Sequence, residues 1–233
     1  LMSSGGQSAQ KVVQTRAGIY AGKCGLDFLD FVSKLDQAPS PFSLFMGAFR
    51  GVAVDPAHCQ TAQDLIETSF GTTGVQREAL LGPRVGGNVN LFMAVLGMTK
   101  IGVQLRSAAD VDGAGGNGNG TVDAGYDSCD PASLSDGALA GVGTGFALLL
   151  DNLTAITSSL SNGNATLLDG LSAACSDPSI ATNPCTVTSA SDPIWSDPTT
   201  LMIVRSLVKS QNLGIESCTS GNPPIPYPFN CCF

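Results

Sequence analysis

Apolar residues recur at helical spacing along most of this chain. From Ser8 onward, Val12, Ala17, Tyr20, Cys24, Phe28, Phe31, Val32 and Leu35 follow one another mostly at three- and four-residue steps. Lys11, Arg16, Lys23, Asp27 and Lys34 fall between them, so one stripe of a helix is apolar and the rest faces water. Ala38-Pro39-Ser40-Pro41 ends that helix, because proline lacks a donor and restricts the residue before it. A second apolar segment covers 42–54 and stops at Asp55-Pro56. A long one covers 88–109, with Leu91, Val95, Met98, Ile101, Gly102 and Leu105 on its repeating face. After Pro131 come Leu134, Ala138, Val142, Phe146, Leu149, Leu153, Ile156 and Leu160, stopped by Asn162-Gly163. After Pro198 come Leu201, Val204, Leu207 and Val208, ending near Gln211.

Asp-Pro precedes several of these segments, at Asp55-Pro56, Asp130-Pro131, Asp177-Pro178, Asp192-Pro193 and Asp197-Pro198. The pair suits a helix start, since Asp accepts from the orphan amides and proline fills the first helical position without loss. Clear helical patterns follow Pro131 and Pro198. Strand-like alternation is absent over any useful length. The pattern predicts an all-α fold, an irregular bundle of about six to eight helices, with tetratricopeptide-like helical pairs as one arrangement. Residues 1–7 are small and polar and read as a mobile leader; 8–215 read as a single helical domain. Residues 216–233 read as a proline-rich, extended C-terminal tail. Tyr227, Phe229 and Phe233 give that tail apolar anchors, and Cys231 and Cys232 predict that it is stapled down.

Gly137, Gly141 and Gly145 stand four residues apart within the helix expected after Pro131. Each sacrifices about 1 kcal/mol of helix propensity relative to Ala. A row of such losses predicts close approach of a neighbouring helix, as small residues permit in packed membrane helices.

Composition narrows the setting. Eleven basic against nineteen acidic residues give a net charge of −8, so the chain lacks the clustered cations that phosphate backbones or anionic lipid demand. Nucleic acid and membrane-surface roles are poor expectations on that ground. Charged residues make up only 13% and apolar ones 43%, which raises the question of a membrane span. None is expected: residues 137–150 are uncharged but flanked by Asp136 and Asp151, and 91–105 is interrupted by Lys100, whereas a span needs about 18 apolar residues or more. The sequence opens at Leu1 without a charged, apolar leader, so any export signal is expected to have been removed or never to have been there. Eight cysteines, none in a C-x-x-C arrangement, predict disulfides rather than structural zinc or thiol redox chemistry. Disulfides imply a periplasmic, cell-surface or extracellular location. Cys175 with Cys185, and Cys218 with Cys231 or Cys232, close short turn-rich loops and are the expected local pairs.

One segment carries metal-ligating chemistry. Between two expected helices lie Asp110, Asp112, Asn117, Asn119, Thr121 and Asp123, interleaved with five glycines from Gly113 to Gly120. Calcium takes six to eight oxygen ligands on a flexible, glycine-turned loop. The run Asn117-Gly118-Asn119-Gly120-Thr121-Val122-Asp123 resembles the central part of an EF-hand or dockerin calcium loop. Side-chain oxygens alternate, glycine occupies the sharp turn and an apolar residue follows next but one. The resemblance covers about fourteen residues, and it implies calcium held by these six residues, with Thr121 offering its carbonyl. The usual first ligand position falls on Gly115 and the bidentate glutamate position on Tyr126. Asp110 or Asp112 is then expected to reach back over Gly113 to Gly116, with Asp127 closing the shell.

Catalytic chemistry has little support in the sequence. His58, the only histidine, neighbours Cys59, but adjacent residues on a helix point about 100° apart and make no nucleophile–base pair. No catalytic residue is assigned, and the chain is read as a non-enzyme. Gly141-Val142-Gly143-Thr144-Gly145 sits inside an apolar helix and not after a strand, which argues against a phosphate cradle. Three sequons begin at Asn119, Asn152 and Asn164, of which Asn164, in a turn, is the attractive acceptor. The sequence therefore points to an exported, disulfide-stapled, calcium-stabilised structural or interaction protein. Its expected partners are other protein subunits of an envelope or extracellular assembly, a homo-oligomer included. A carrier of a hydrophobic ligand and a carboxylate-dependent hydrolase are the two alternatives.

Overall fold

The computed structural model describes residues 8–33, 40–153, 172, 175, 183–221 and 225–233. The expected leader at 1–7, the helix end at 154–163, the Asn164 sequon and Asp177-Pro178 lie outside these residues. Among them there are eight α-helices: α1 (Ala9–Cys24), α2 (Phe28–Ser33), α3 (Pro41–Gly47), α4 (Pro56–Phe70), α5 (Gly74–Leu81), α6 (Pro83–Ala109), α7 (Asp136–Asp151) and α8 (Pro198–Lys209). The fold is all-α, as the periodicity predicts. One parallel bridge, Ser210 with Cys218, is the extended pairing among the described residues.

Helix starts follow local chemistry. Ser8 Oγ accepts from the Lys11 amide to open α1, and Thr73 with Gln76 forms a reciprocal capping box on α5. Asp55-Pro56 opens α4 and Asp197-Pro198 opens α8, each Asp side chain accepting an amide of the first turn.

Three expectations need correction. The helix expected from Ser8 to Leu35 is broken at Gly25, which takes φ 119° and caps α1. Cys24 is tied to Cys59 there, and a Cβ on Gly25 would lie 2.9 Å from Val54, so the chain turns where its apolar spacing continues. The helix expected after Pro131 begins at Asp136, because Arg205 takes the carbonyls of Ser128 and Asp130 and leaves Ser135 to cap α7. The tail is not extended over its last residues. Residues 227–232 form turns, since Cys231 bonds to Cys218 and Cys232 to Cys129. Phe229 is buried and the Cys232 amide donates to Ser206 Oγ on α8, which seats the tail against the helical body.

Helix α6 is the axis of the molecule and touches α1, α3, α4, α5 and α7. Met93, Leu96, Met98, Ile101, Val103 and Leu105 are fully buried, which accounts for a helix apolar on nearly every side. Gly97 on α6 faces Gly145 on α7: a Cβ on either would come within 2.6–2.8 Å of the other's carbonyl oxygen. Gly141 packs on Gln104, whereas nothing lies within 4 Å of Gly137. Close approach therefore explains two members of the glycine row.

All eight cysteines are paired, as Cys24–Cys59, Cys129–Cys232, Cys175–Cys185 and Cys218–Cys231. The two short loops match the local pairs that the sequence favours. No described helix is long and apolar enough to cross a membrane. Four disulfides without such a helix are compatible with an exported protein.

Candidate metal loop

The segment after α6 leaves the core at Ala109 and folds into a tight glycine-rich loop before α7. Asp110 is its anchor. Its side chain is fully buried, with Oδ1 accepting from the Asn119 amide at 2.8 Å and Oδ2 from the Gly120 amide at 2.8 Å. Gly118 passes directly over this carboxylate. A Cβ there would sit 2.5 Å from Oδ2, and φ is 73°, so both space and backbone demand glycine.

Asp110, Asp112 and Asp123 each present an oxygen within 4.8 Å of the others. Asp123 Oδ2 also accepts from the Val111 amide, and the Asp123 amide donates to the Ala109 carbonyl, which clips the far end of the loop to the end of α6. Asn119 joins the group through its side-chain amide, which donates to Asp112 Oδ2 at 2.8 Å. Its Oδ1 accepts from the amide and hydroxyl of Thr121. Asn117 is turned differently: its carbonyl accepts from Arg106 Nε and from the Gly51 amide. Asp127 stands apart from the three carboxylates. It accepts from Lys209 at 2.6 Å and from the Cys129 amide, and the Lys209 hydrogen bond holds its carboxyl below the usual range.

Three acidic groups this close repel one another. Desolvation by the loop, then the charge of Asp123, then the hydrogen bond and charge of Asp110 raise the Asp112 carboxyl above its ordinary value. The amides of Val111, Asn119 and Gly120 and the Asn119 side-chain amide donate to these carboxylates, whose oxygens are of the kind that hard cations prefer.

Sequence reasoning missed the support beneath the loop. Arg106, in the last turn of α6 and nearly buried, donates from Nη2 to the Gly116 carbonyl at 2.6 Å and from Nε to the Asn117 carbonyl at 3.1 Å. An arginine within an otherwise apolar helix end, four residues before the first Asp, was the available signal. Asn152 is closed to glycosylation, being 1% exposed with its amide donated to Leu148 and Asp151. No protein-family model, curated protein or solved structure matches this chain.

Proposed function

We propose that this protein is an exported, disulfide-stapled structural or interaction component of an envelope or extracellular assembly, with a loop at 110–127 that calcium sets in place. The observation that carries the calcium reading is the convergence of Asp110, Asp112 and Asp123 within 4.8 Å on a loop joining two core helices. By the calcium-loop resemblance Asn119 and the Thr121 carbonyl are the further ligands, and Asn119 must release Thr121 and turn its Oδ1 in place of the amide it now gives Asp112. Because α6 and α7 pack directly on each other through Gly97 and Gly145, ordering the loop between them fixes a surface without rebuilding the core. Export is supported by eight cysteines joined without remainder.

Isothermal titration of calcium into the chelator-stripped, oxidised protein tests the metal reading. One calcium per chain is expected, lost in Asp123→Ala; heat independent of Asp123 overturns it. Cross-linking in the native envelope or culture medium tests the assembly reading. Calcium-dependent capture of other subunits, or of further copies of this chain, is expected, and a chain that stays monomeric and uncaptured contradicts it.

A further inference from the structure

A cavity of about 420 Å³ lies beside the C-terminal end of α7, separate from the 110–127 loop. Its size falls in the range of small-molecule sites, roughly 300–1,000 Å³. Ala147 and Asp151 of α7, Thr72 and Thr73 before α5, and Thr186 and Thr188 in the stretch tied down by Cys175–Cys185 form its walls. Asp151 is the one charged residue among its described lining residues.

That carboxylate is used from one side. Oδ2 accepts from the Gly74 amide at 2.8 Å, Arg77 Nη2 at 3.0 Å and Asn152 Nδ2 at 3.2 Å, while no described residue donates to Oδ1. Arg77 cannot swing away. It is wholly buried, with Nε on Asn90 and Nη1 on the Gly71 carbonyl. The orientation of Asp151, an exposed residue of the cavity wall, is therefore fixed in advance, and its Oδ1 takes no hydrogen bond from a described residue.

The chemistry selects a ligand class. The Arg77–Asp151 pair at 3.0 Å carries no net charge, so a cation gains little there, and an anion brings no donor to the acceptor Oδ1. An apolar ligand would strip water from the carboxylate and return no donor. A neutral hydroxylated molecule offers O–H groups for charge-assisted bonds to Oδ1, and it meets threonine hydroxyls that both donate and accept. We propose that this cavity binds a neutral polyol, a sugar of one or two rings, with Asp151 Oδ1 as its principal acceptor.

Saturation-transfer NMR and calorimetry on the full oxidised chain test this with glucose, galactose, mannose, N-acetylglucosamine, maltose, lactose and chitobiose, and with choline and acetate as charged comparators. At least one sugar should bind at about 1 mM or tighter, and neither charged probe should displace it. Asp151→Asn keeps an oxygen for the three donors but turns the free acceptor into a donor, and Thr186→Val removes an exposed hydroxyl. Each should weaken binding roughly tenfold. Thr72→Trp, which crowds the cavity from an exposed position on its wall, should abolish it. Should Asp151→Asn fail to fold, Thr186→Val and Thr72→Trp decide. Lack of saturation by every sugar at about 10 mM, preference for choline, or wild-type binding by both folded wall variants overturns the proposal.

Discussion

At the scale of single residues, buried charge dominates. Lys100 is 3% exposed in the middle of α6 and donates to Gln60 at 2.8 Å, Gln63 at 2.5 Å and Thr144 at 2.7 Å. Burial pushes its amine down to about 7 against the opposing pull of Glu67 and Asp64, whereas an unfolded lysine stays charged to about 10.4. Between those values the unfolded chain binds more protons, so Lys100 makes stability rise with pH across that window. Urea midpoints measured from about pH 6 to about pH 10 should climb more steeply in the native protein than in Lys100→Met; parallel profiles would refute this. Arg77 is the opposite case, a buried cation with an acid partner. Arg77→Met removes one donor each from Asn90, Asn152, the Gly71 carbonyl and Asp151, which keeps the Gly74 and Asn152 donors, and denaturant unfolding should register a loss of about 1–3 kcal/mol. At the metal loop, the raised Asp112 carboxyl holds its proton to higher pH than a free aspartate. Calcium needs the deprotonated form, so apparent affinity should fall on acidification earlier than for an isolated carboxylate, a trend that calorimetry at several pH values checks.

At the scale of elements, helix propensity and helix contact make opposite demands on glycine. Gly145→Ala gains propensity but drives a methyl toward the Gly97 carbonyl at 2.8 Å, so it should lower the melting temperature, by about 1–3 kcal/mol of overpacking. Gly137→Ala meets nothing within 4 Å and should raise stability by up to about 1 kcal/mol. If both changes stabilise, the contact is not as close as described. The sequence made one half of this contact legible, the regular row on α7, and hid the other, because Gly97 has no partner glycine at helical spacing to draw attention to it. The same division runs through the fold. Asp197-Pro198 and Ser8 act through their own first turn and can be read locally. The break at Gly25 depends on a disulfide to Cys59 and on Val54, so the continuing apolar rhythm of Phe28 and Phe31 conceals it. In the loop, Asp110, Asp112 and Asp123 were legible as oxygens at calcium-type spacing. Arg106 was not, since its role lies in two backbone carbonyls that only the folded loop brings near.

At the scale of the whole molecule, the disulfides and the loop act on different parts of the stability. Cys129–Cys232 spans 103 residues and Cys24–Cys59 spans 35, against 10 and 13 for the other two. Loop closure predicts the largest loss, about 4–5 kcal/mol, when Cys129 and Cys232 are both replaced by serine. Thermal unfolding of the four paired variants checks the order, and a greater loss from the Cys175–Cys185 pair would contradict it. Calcium, by contrast, should add stability by mass action on one segment while the helices persist without it. The most direct test of the account is the melting temperature of the oxidised chain in excess calcium and in chelator, with Asp123→Ala alongside. The account predicts a midpoint roughly 5–10 °C higher at a hundredfold excess over the dissociation constant, with the difference lost in Asp123→Ala. Equal midpoints with calcium and chelator would contradict it.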